Sequence, residues 1–116
     1  MRNIGFYRAE SGASPIEEFL DSLSGKQAQR VAWVLRLIEE IDSVPAQYFK
    51  KMAGTEDIWE VRVQSGTDTI RLLGFLFGSH SLVLTNGFGK KTMKVPRREI
   101  ALAEQRKRDY FNRSKK

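Results

Sequence analysis

Cysteine is absent from the 116-residue sequence, and histidine occurs once. A disulfide, a thiolate metal site and a cysteine nucleophile are therefore excluded, and histidine-rich metal sites or a serine–histidine–aspartate triad fit poorly. No apolar run approaches the roughly 20 residues of a membrane span, and the N-terminal residues lack the apolar stretch of a secretory signal. We therefore expect a cytoplasmic protein that has no membrane partner and no cofactor.

The remaining composition is that of a globular protein. Apolar residues make up 41% of the chain and aromatic residues 10%, which is enough to bury a hydrophobic core. The length corresponds to a single domain over residues 1–116.

Acidic residues are scarce in the second half of the chain. Residues 1–58 carry seven basic and nine acidic side chains, whereas residues 59–116 carry thirteen basic and five acidic ones. A one-sided positive charge attracts polyanions, of which nucleic acid is the commonest soluble example. The alternatives are a solvated basic segment or a contact with an acidic protein.

Two helices are predicted after a short first strand at residues 4–8. Ser14, Pro15 and Glu17 form a helix start with a capping box, and Ser24 with Gln27 offers a second one. The second helix is expected to continue to about Asp42. Its buried face is expected to consist of Ala28, Val31, Leu35, Ile38 and Ile41. The short connection predicts an antiparallel helical hairpin.

From residue 57 onward the apolar pattern alternates. Three antiparallel strands are predicted at about 59–64, 69–77 and 81–88, and Pro96 opens a last helix. Ile100, Ala103, Lys107 and Tyr110 share one side of that helix, so it is expected to pack by a narrow stripe. The predicted class is α+β, in the order β-α-α-β-β-β-α.

Two arginines lie within the predicted sheet. Arg62 is on the strand face opposite Trp59, Val61 and Val63, and Arg71 follows Ile70 on the next strand. A guanidinium in mid-sheet needs a partner, because burying it unpaired is costly. The pattern leaves two interpretations open, an ion pair with Glu60 or a clamp on phosphate oxygens. Adjacent antiparallel strands allow both arginines to converge on one face.

Further basic residues border the predicted sheet. Residues 86–92 (NGFGKKT) are expected to form a loop after the last strand, in which glycine lets backbone approach a ligand. The basic residues in this region are Lys90, Lys91, Lys94, Arg97 and Arg98, and Lys50 with Lys51 forms another pair in a predicted connecting loop. One lysine pair is usually solvated surface, but three clusters around one sheet favour a binding surface.

The lone histidine and the tryptophans are assigned ordinary roles. His80 falls in a turn between predicted strands and is expected to be exposed rather than to act as a general base. Trp33 and Trp59 are expected in the core, and Tyr110 either in the core or stacked on a base.

The ordered motifs resemble the RelE/ParE superfamily of toxins, and most closely its HigB-type, phage-derived branch. The similarity covers nearly the whole chain and is carried by residues 15–23, 51–54, 58–62, 70–71, 86–96, 99–103 and 108–110. It implies a RelE-like fold, in which an antiparallel meander packs against a two-helix hairpin and a C-terminal helix. It also implies the toxin of a type II toxin–antitoxin system, which cuts mRNA on the ribosome without a metal, through attack by the RNA 2′-hydroxyl.

The resemblance also implies residue roles and partners. Arg62 and Arg71 would clamp the scissile phosphate, and Lys90 and Lys91 would stabilise charge or protonate the leaving oxygen. RNA would be bound by Lys50, Lys51, Lys94, Arg97 and Arg98. The implied partners are mRNA, the ribosome and a cognate antitoxin of helix-turn-helix type.

One departure from the family pattern keeps other functions open. Thr69 stands where many relatives have tyrosine, and the last strand offers no histidine. Either lysines transfer the proton, or activity is weak, or the target differs. The alternatives are a ParE-like inhibitor that binds DNA gyrase without catalysis, and a degenerate prophage protein that binds only nucleic acid or its antitoxin.

Overall fold

A computed structural model describes residues 1–90 and 94–115, with only the backbone of Lys90. The predicted α+β class is confirmed, since the described residues form a five-stranded sheet and three helices. The elements are β1 (Asn3–Phe6), α1 (Pro15–Asp21), α2 (Gly25–Glu40), β2 (Phe49–Lys51), β3 (Trp59–Ser65), β4 (Asp68–Phe77), β5 (Ser81–Lys90) and α3 (Arg97–Ser114). Within the described residues, none of the helices has both the length and the apolar content to cross a bilayer.

The sheet has the order β1-β5-β4-β3-β2, in which β1 is parallel to β5 and the other pairs are antiparallel. The predicted meander of three strands is therefore confirmed as β3, β4 and β5. The prediction that Lys50 and Lys51 lie in a connecting loop is wrong, because both residues belong to strand β2. Its three residues are too few for a period of two to be visible in the sequence.

Side-chain oxygens cap α1 and α2 where the sequence predicts. The Oγ atom of Ser14 accepts from the Glu17 amide at 3.3 Å, but the Glu17 carboxylate turns to Arg8, so the first capping box is only half formed. The second box is complete between Ser24 and Gln27. Helix α2 ends at Glu40, two residues earlier than predicted. There the guanidinium of Arg2 donates to three carbonyl oxygens, those of Ile38, Ile41 and Asp42.

The main core lies between the sheet and the pair α1 and α2. Ile16 of α1 and three residues of α2 meet the sheet there, and the fully buried members are Ile16, Val31, Val34, Ile38, Val61, Val63, Ile70, Leu72, Leu82 and Leu84. Trp59 packs against this core, as predicted, and stacks on Phe49 with ring centroids 4.6 Å apart. Two predictions are wrong, since Ile41 and Trp33 are 39% and 48% exposed.

Helix α3 covers the opposite side of the sheet, which we call the α3 face. Ala103 contacts a small cluster of Ile58, Leu73 and Phe88, and Tyr110 packs against Phe75. Of the predicted stripe, Ile100, Ala103 and Tyr110 pack on this face, and Lys107 donates to the Glu56 carbonyl at 2.7 Å. Polar contacts thus supplement a narrow apolar stripe.

Strand β5 contains a bulge that sets which residues face α3. Leu73 pairs with Asn86, whereas Gly74 pairs with Leu84, so Thr85 is an extra residue in the ladder. One extra residue reverses the alternation of the strand. Val83 before the bulge and Asn86 after it therefore both face α3, where the Asn86 amide donates to Glu99 at 3.0 Å.

Residues 86–90 of the predicted loop at 86–92 are strand, because β5 continues to Lys90, and residues 91 and 92 lie outside the described residues. Gly87 has a packing role there and not the ligand-binding role expected of a loop glycine. A Cβ atom at Gly87 would lie 2.5 Å from Cδ2 of Phe19 and 2.7 Å from Cδ2 of Leu72. The missing side chain therefore lets α1 pack closely on the sheet.

We predict that Gly87→Ala lowers the free energy of unfolding by about 1–3 kcal/mol, the usual cost of overpacking a core. Gly89→Ala is the matched control on the same strand, since its Cβ would meet its nearest neighbour, Cγ1 of Ile70, at an ordinary 3.8 Å. Urea unfolding of both variants measures the difference. Equal stabilities would contradict the packing role of Gly87.

Tyr7 connects the N-terminal segment to α3. Its hydroxyl donates to Asp109 at 2.6 Å, and Asp109 also pairs with Arg113 at 2.8 Å. Burial raises the pKa of Tyr7 above 10.0, and the hydrogen bond to Asp109 adds to that effect. The folded protein therefore favours the neutral phenol.

Because the folded pKa of Tyr7 is the higher one, its contribution to stability is complete below pH 10 and is lost as the pH rises through the folded value. We predict that, from about pH 10 upward, the free energy of unfolding falls more steeply with pH in the wild type than in Tyr7→Phe. Urea titrations across that range measure both slopes. Equal slopes would mean that Tyr7 ionises alike in the folded and unfolded chains.

Candidate site on the alpha3 face of the sheet

The two sheet arginines are direct neighbours. Arg62 of β3 and Arg71 of β4 are partners in the antiparallel register. Leu73, two residues after Arg71, packs beneath α3, so the alternation of the strand puts both arginines on the α3 face. The prediction that the two arginines converge on one face is confirmed.

Glu60 holds both guanidiniums. Its Oε1 atom lies 3.1 Å from Arg62, and its Oε2 atom lies 3.0 Å from Nε of Arg71. The Glu60 side chain is 1% exposed. The ion-pair interpretation of the sequence is therefore correct for both arginines. We call Glu60, Arg62 and Arg71 the arginine triad.

The two arginines of the triad differ in access to solvent. The side chain of Arg71 is 4% exposed, whereas that of Arg62 is 37% exposed. One carboxylate balances one of the two positive charges, so the triad keeps a formal charge of +1. That charge reaches solvent through Arg62, which leaves the phosphate interpretation open at this residue.

Lys50 and Lys51 diverge although they are adjacent. Lys50 is opposite Glu60 in the register of β2 and β3, so it lies next to the arginine triad, at a position on the α3 face. Lys51 pairs with Asp57, its Nζ atom 2.8 Å from the carboxylate. The hydrogen bond and charge of Lys51 lower the pKa of Asp57. Lys50 is therefore the member of this pair that adjoins the triad.

The predicted basic residues before and within α3 occupy its N-terminal end. Lys94 precedes the helix, and Arg97 and Arg98 are exposed in its first turn. The amide of Asn86 donates to the Glu99 carbonyl at 3.2 Å and to its carboxylate, which fixes this turn over β5. These cations thus border the α3 face.

Of the two lysines predicted to be catalytic, the structure describes only the backbone of Lys90. Lys90 is opposite Thr69 at the end of β5, two residues along β4 from the partner of Arg62. Lys91 lies outside the described residues. Their roles in charge stabilisation and proton transfer stay predictions. His80 is exposed in the turn between β4 and β5, as predicted.

The polar contacts that secure α3 are not predicted from the sequence. Thr85 accepts a hydrogen bond from Arg106 at its carbonyl, at 2.8 Å, and burial lowers the pKa of Arg106. Asn86 lies in β5 and not in the predicted loop. The only sequence signal was a polar pair, Thr85 and Asn86, within an otherwise apolar strand. Among the described residues there is no group of three or more histidines or carboxylates that could hold a metal ion.

We predict that Glu60→Leu lowers the free energy of unfolding by about 3–5 kcal/mol, because it removes the carboxylate beside the buried Arg71. Arg62→Met is the control, since Arg62 is partly exposed, and it should cost about 1 kcal/mol or less. Chemical denaturation of the two variants measures both effects. Similar losses in both would contradict the central place of Glu60.

Comparison with known proteins assigns the chain to a family. The family model described as phage-derived protein Gp49-like (DUF891) matches residues 18–108, a span that includes the triad and most of α3. No curated protein matches the chain. The matched residues are most of the sequence, so the chain belongs to the Gp49-like phage-derived family, which is a family of RelE/HigB-like toxins.

Proposed function

We propose that this protein is the toxin of a type II toxin–antitoxin system and cleaves mRNA on the ribosome. Family membership is consistent with a toxin of such a system. The observation that carries the nuclease proposal is the arginine triad, in which two guanidiniums share a buried carboxylate and one of them reaches solvent. The HigB-type relationship belongs to the same proposal.

The proposed reaction needs a cationic, preorganised surface. The RNA 2′-oxygen attacks the adjacent phosphorus, the bond to the 5′-oxygen breaks, and the 2′-proton is lost while the leaving oxygen gains one. The products are a 2′,3′-cyclic phosphate and a 5′-hydroxyl. Negative charge grows on the phosphate oxygens in the transition state, and fixed donors stabilise it without reorganising.

Arg62 and Arg71 divide this work in the proposal. Arg62 contacts the phosphate, since its side chain is 37% exposed. Arg71 lies behind it and acts through Glu60, which forms ion pairs with both guanidiniums and accepts a hydrogen bond from Arg62 that holds it in one orientation. Arg71 is then a positioning residue in this conformation, and a direct clamp by both arginines would require Arg71 to move outward.

Lysines supply the remaining chemistry. Lys90 and Lys91 stabilise charge or protonate the leaving 5′-oxygen, which is work that an ammonium group can do where histidine is lacking. Lys50 adjoins Glu60 in the register and binds flanking RNA. Lys51, Lys94, Arg97 and Arg98 extend the contact with mRNA or ribosomal RNA. No metal takes part in the proposed reaction.

A cognate antitoxin completes the proposed system. It is a helix-turn-helix protein that covers the cationic α3 face and represses the shared promoter. Such a partner would compete with RNA for the exposed guanidinium of Arg62.

We predict that Arg62→Ala lowers the rate of mRNA cleavage by roughly 100- to 1,000-fold, the usual effect of removing one transition-state donor. Arg62→Lys should restore little, because an ammonium lacks the fork that binds two phosphate oxygens. Arg36→Ala is the charge-matched control, since Arg36 is exposed on α2, on the other side of the sheet. Purified protein is incubated with mRNA, with and without ribosomes, and primer extension locates the 5′-hydroxyl ends.

Induction of the same variants in growing cells separates this proposal from its alternative. Prompt loss of translation with cuts inside codons supports the nuclease, and Arg62→Ala should relieve the growth arrest. Intact mRNA with DNA damage would instead identify a gyrase inhibitor. Full toxicity of a folded Arg62→Ala protein would refute the role of the triad.

A further inference from the structure

Trp33 is exposed on α2 although large aromatic side chains are usually buried. Its exposed fraction is 48%, and it lines a groove of about 550 Å³ between α2 and the end of β3. The groove is also lined by residues of two elements: Lys26 and Arg30 of α2, and Gln64, Ser65 and Gly66 at the β3–β4 turn. We call this feature the Trp33 groove.

The Trp33 ring is held in place by its neighbours. The guanidinium of Arg30 lies 5.9 Å from the ring centroid, and Tyr48 meets the ring edge-on at 5.7 Å. Arg30 is itself anchored, since its Nε atom donates to the Gln64 carbonyl at 3.3 Å. An oriented aromatic ring beside an anchored cation loses little entropy when a ligand binds to it.

The charge of the Trp33 groove selects for an anion. Lys26 and Arg30 line it, and no acidic residue does so within the part of the chain that the structure describes. Ser65 adds a neutral hydroxyl, whereas the Gln64 carbonyl accepts from Arg30 and its side-chain oxygen accepts from Thr69. An aromatic platform flanked by cations and neutral polar groups is the chemistry that binds a base and its phosphates in a single strand.

The groove is also close to the arginine triad. Pairing of β2 with β3 extends only as far as Val61, followed by one hydrogen bond from the Arg62 amide to the Tyr48 carbonyl. Beyond this point the edge of β3 has no strand beside it among the described residues and faces the groove. Gln64, which lines the groove, follows Arg62 by two residues, so the two residues are about 7 Å apart along the strand. A single strand that leaves Arg62 around this edge would therefore reach Trp33.

We propose that the Trp33 groove binds single-stranded RNA, with one base stacked on Trp33 and its phosphates held by Lys26 and Arg30. This inference rests on the proposed function for the choice of RNA. It adds a second contact, separate from the α3 face, that would hold the strand beside the reacting phosphate.

The test measures binding without cleavage. The probe is a fluorescein-labelled 2′-O-methyl oligoadenylate of about 12 nucleotides, within the usual site size for single strands, and it lacks the 2′-hydroxyl nucleophile. Fluorescence anisotropy should give a dissociation constant about 5- to 150-fold higher for Trp33→Ala, the range expected for one base–aromatic stack. Trp33→Phe should fall between this variant and the wild type. Arg36→Ala, on the same helix but outside the groove, should bind within about twofold of the wild type, and circular dichroism verifies that all variants are folded.

The outcomes separate this inference from the nuclease proposal. Weaker binding by Trp33→Ala supports the groove even if Arg62→Ala leaves toxicity intact. Unchanged RNA binding by Trp33→Ala overturns the groove, whether or not Arg62 is required for cleavage. Loss of binding to polyglutamate with unchanged RNA binding would identify a site for an acidic protein and overturn the inference. A dimer that Trp33→Ala converts to a monomer, again with unchanged RNA binding, would do the same by identifying a second copy as the occupant.

Discussion

A buried carboxylate between two guanidiniums is the interaction on which the candidate site depends. Glu60 is 1% exposed and within 3.1 Å of Arg62 and 3.0 Å of Arg71. This contact requires a particular register of β3 and β4, since a slip of one residue would move Arg71 to the opposite face. The tight turn supplies that register, because Ser65 pairs with Asp68 and Gly66 adopts a φ of 62° that suits a two-residue hairpin loop. A glycine in the turn thus sets the register in which Arg62 and Arg71, four and five residues away along the hairpin, meet Glu60.

Counting charge along the sequence overestimates the cations that a partner can reach. Much of the positive charge in the second half of the chain lies on α3, and several of its side chains fasten the helix to the rest of the protein. Arg106 donates to the Thr85 carbonyl, Arg108 pairs with Glu56, and Arg113 donates to the Arg8 carbonyl. These contacts compensate for the narrow apolar stripe of α3. The surface available to a polyanion is therefore smaller than the net charge of +6 implies.

The sequence predicted the parts of the fold that have strong periodicity. The alternation of Trp59, Val61 and Val63 identified β3 and its buried face, and the capping residues Ser14 and Ser24 located two helix starts. Strand β2 was missed because three residues show no period. The residue type of Trp33 predicts burial, but α2 turns Val31, Val34 and Ile38 toward the core and leaves Trp33 48% exposed.

The candidate site was only partly predictable, for a physical reason. The sequence indicated that Arg62 and Arg71 face one another, since adjacent strands of similar pattern pair in register. It could not decide between an ion pair and a ligand clamp, because that choice depends on how far each side chain is from solvent. The structure shows that the two arginines differ in this respect, since Arg71 is buried beside Glu60 and Arg62 is partly exposed.

The cost of the triad is itself an argument for function. Replacing a buried ion pair or triad by apolar residues of similar volume is often neutral or stabilising, because desolvation offsets much of the Coulomb attraction. Leucine-sized side chains at positions 60, 62 and 71 would therefore hold β3 to β4 about as well. What they could not provide is a fixed guanidinium at the surface of the sheet. A donor whose orientation is set during folding needs no reorganisation when charge develops on a bound phosphate. Under the proposed function, the charges of Glu60 and Arg71 serve to position Arg62 and not to stabilise the sheet.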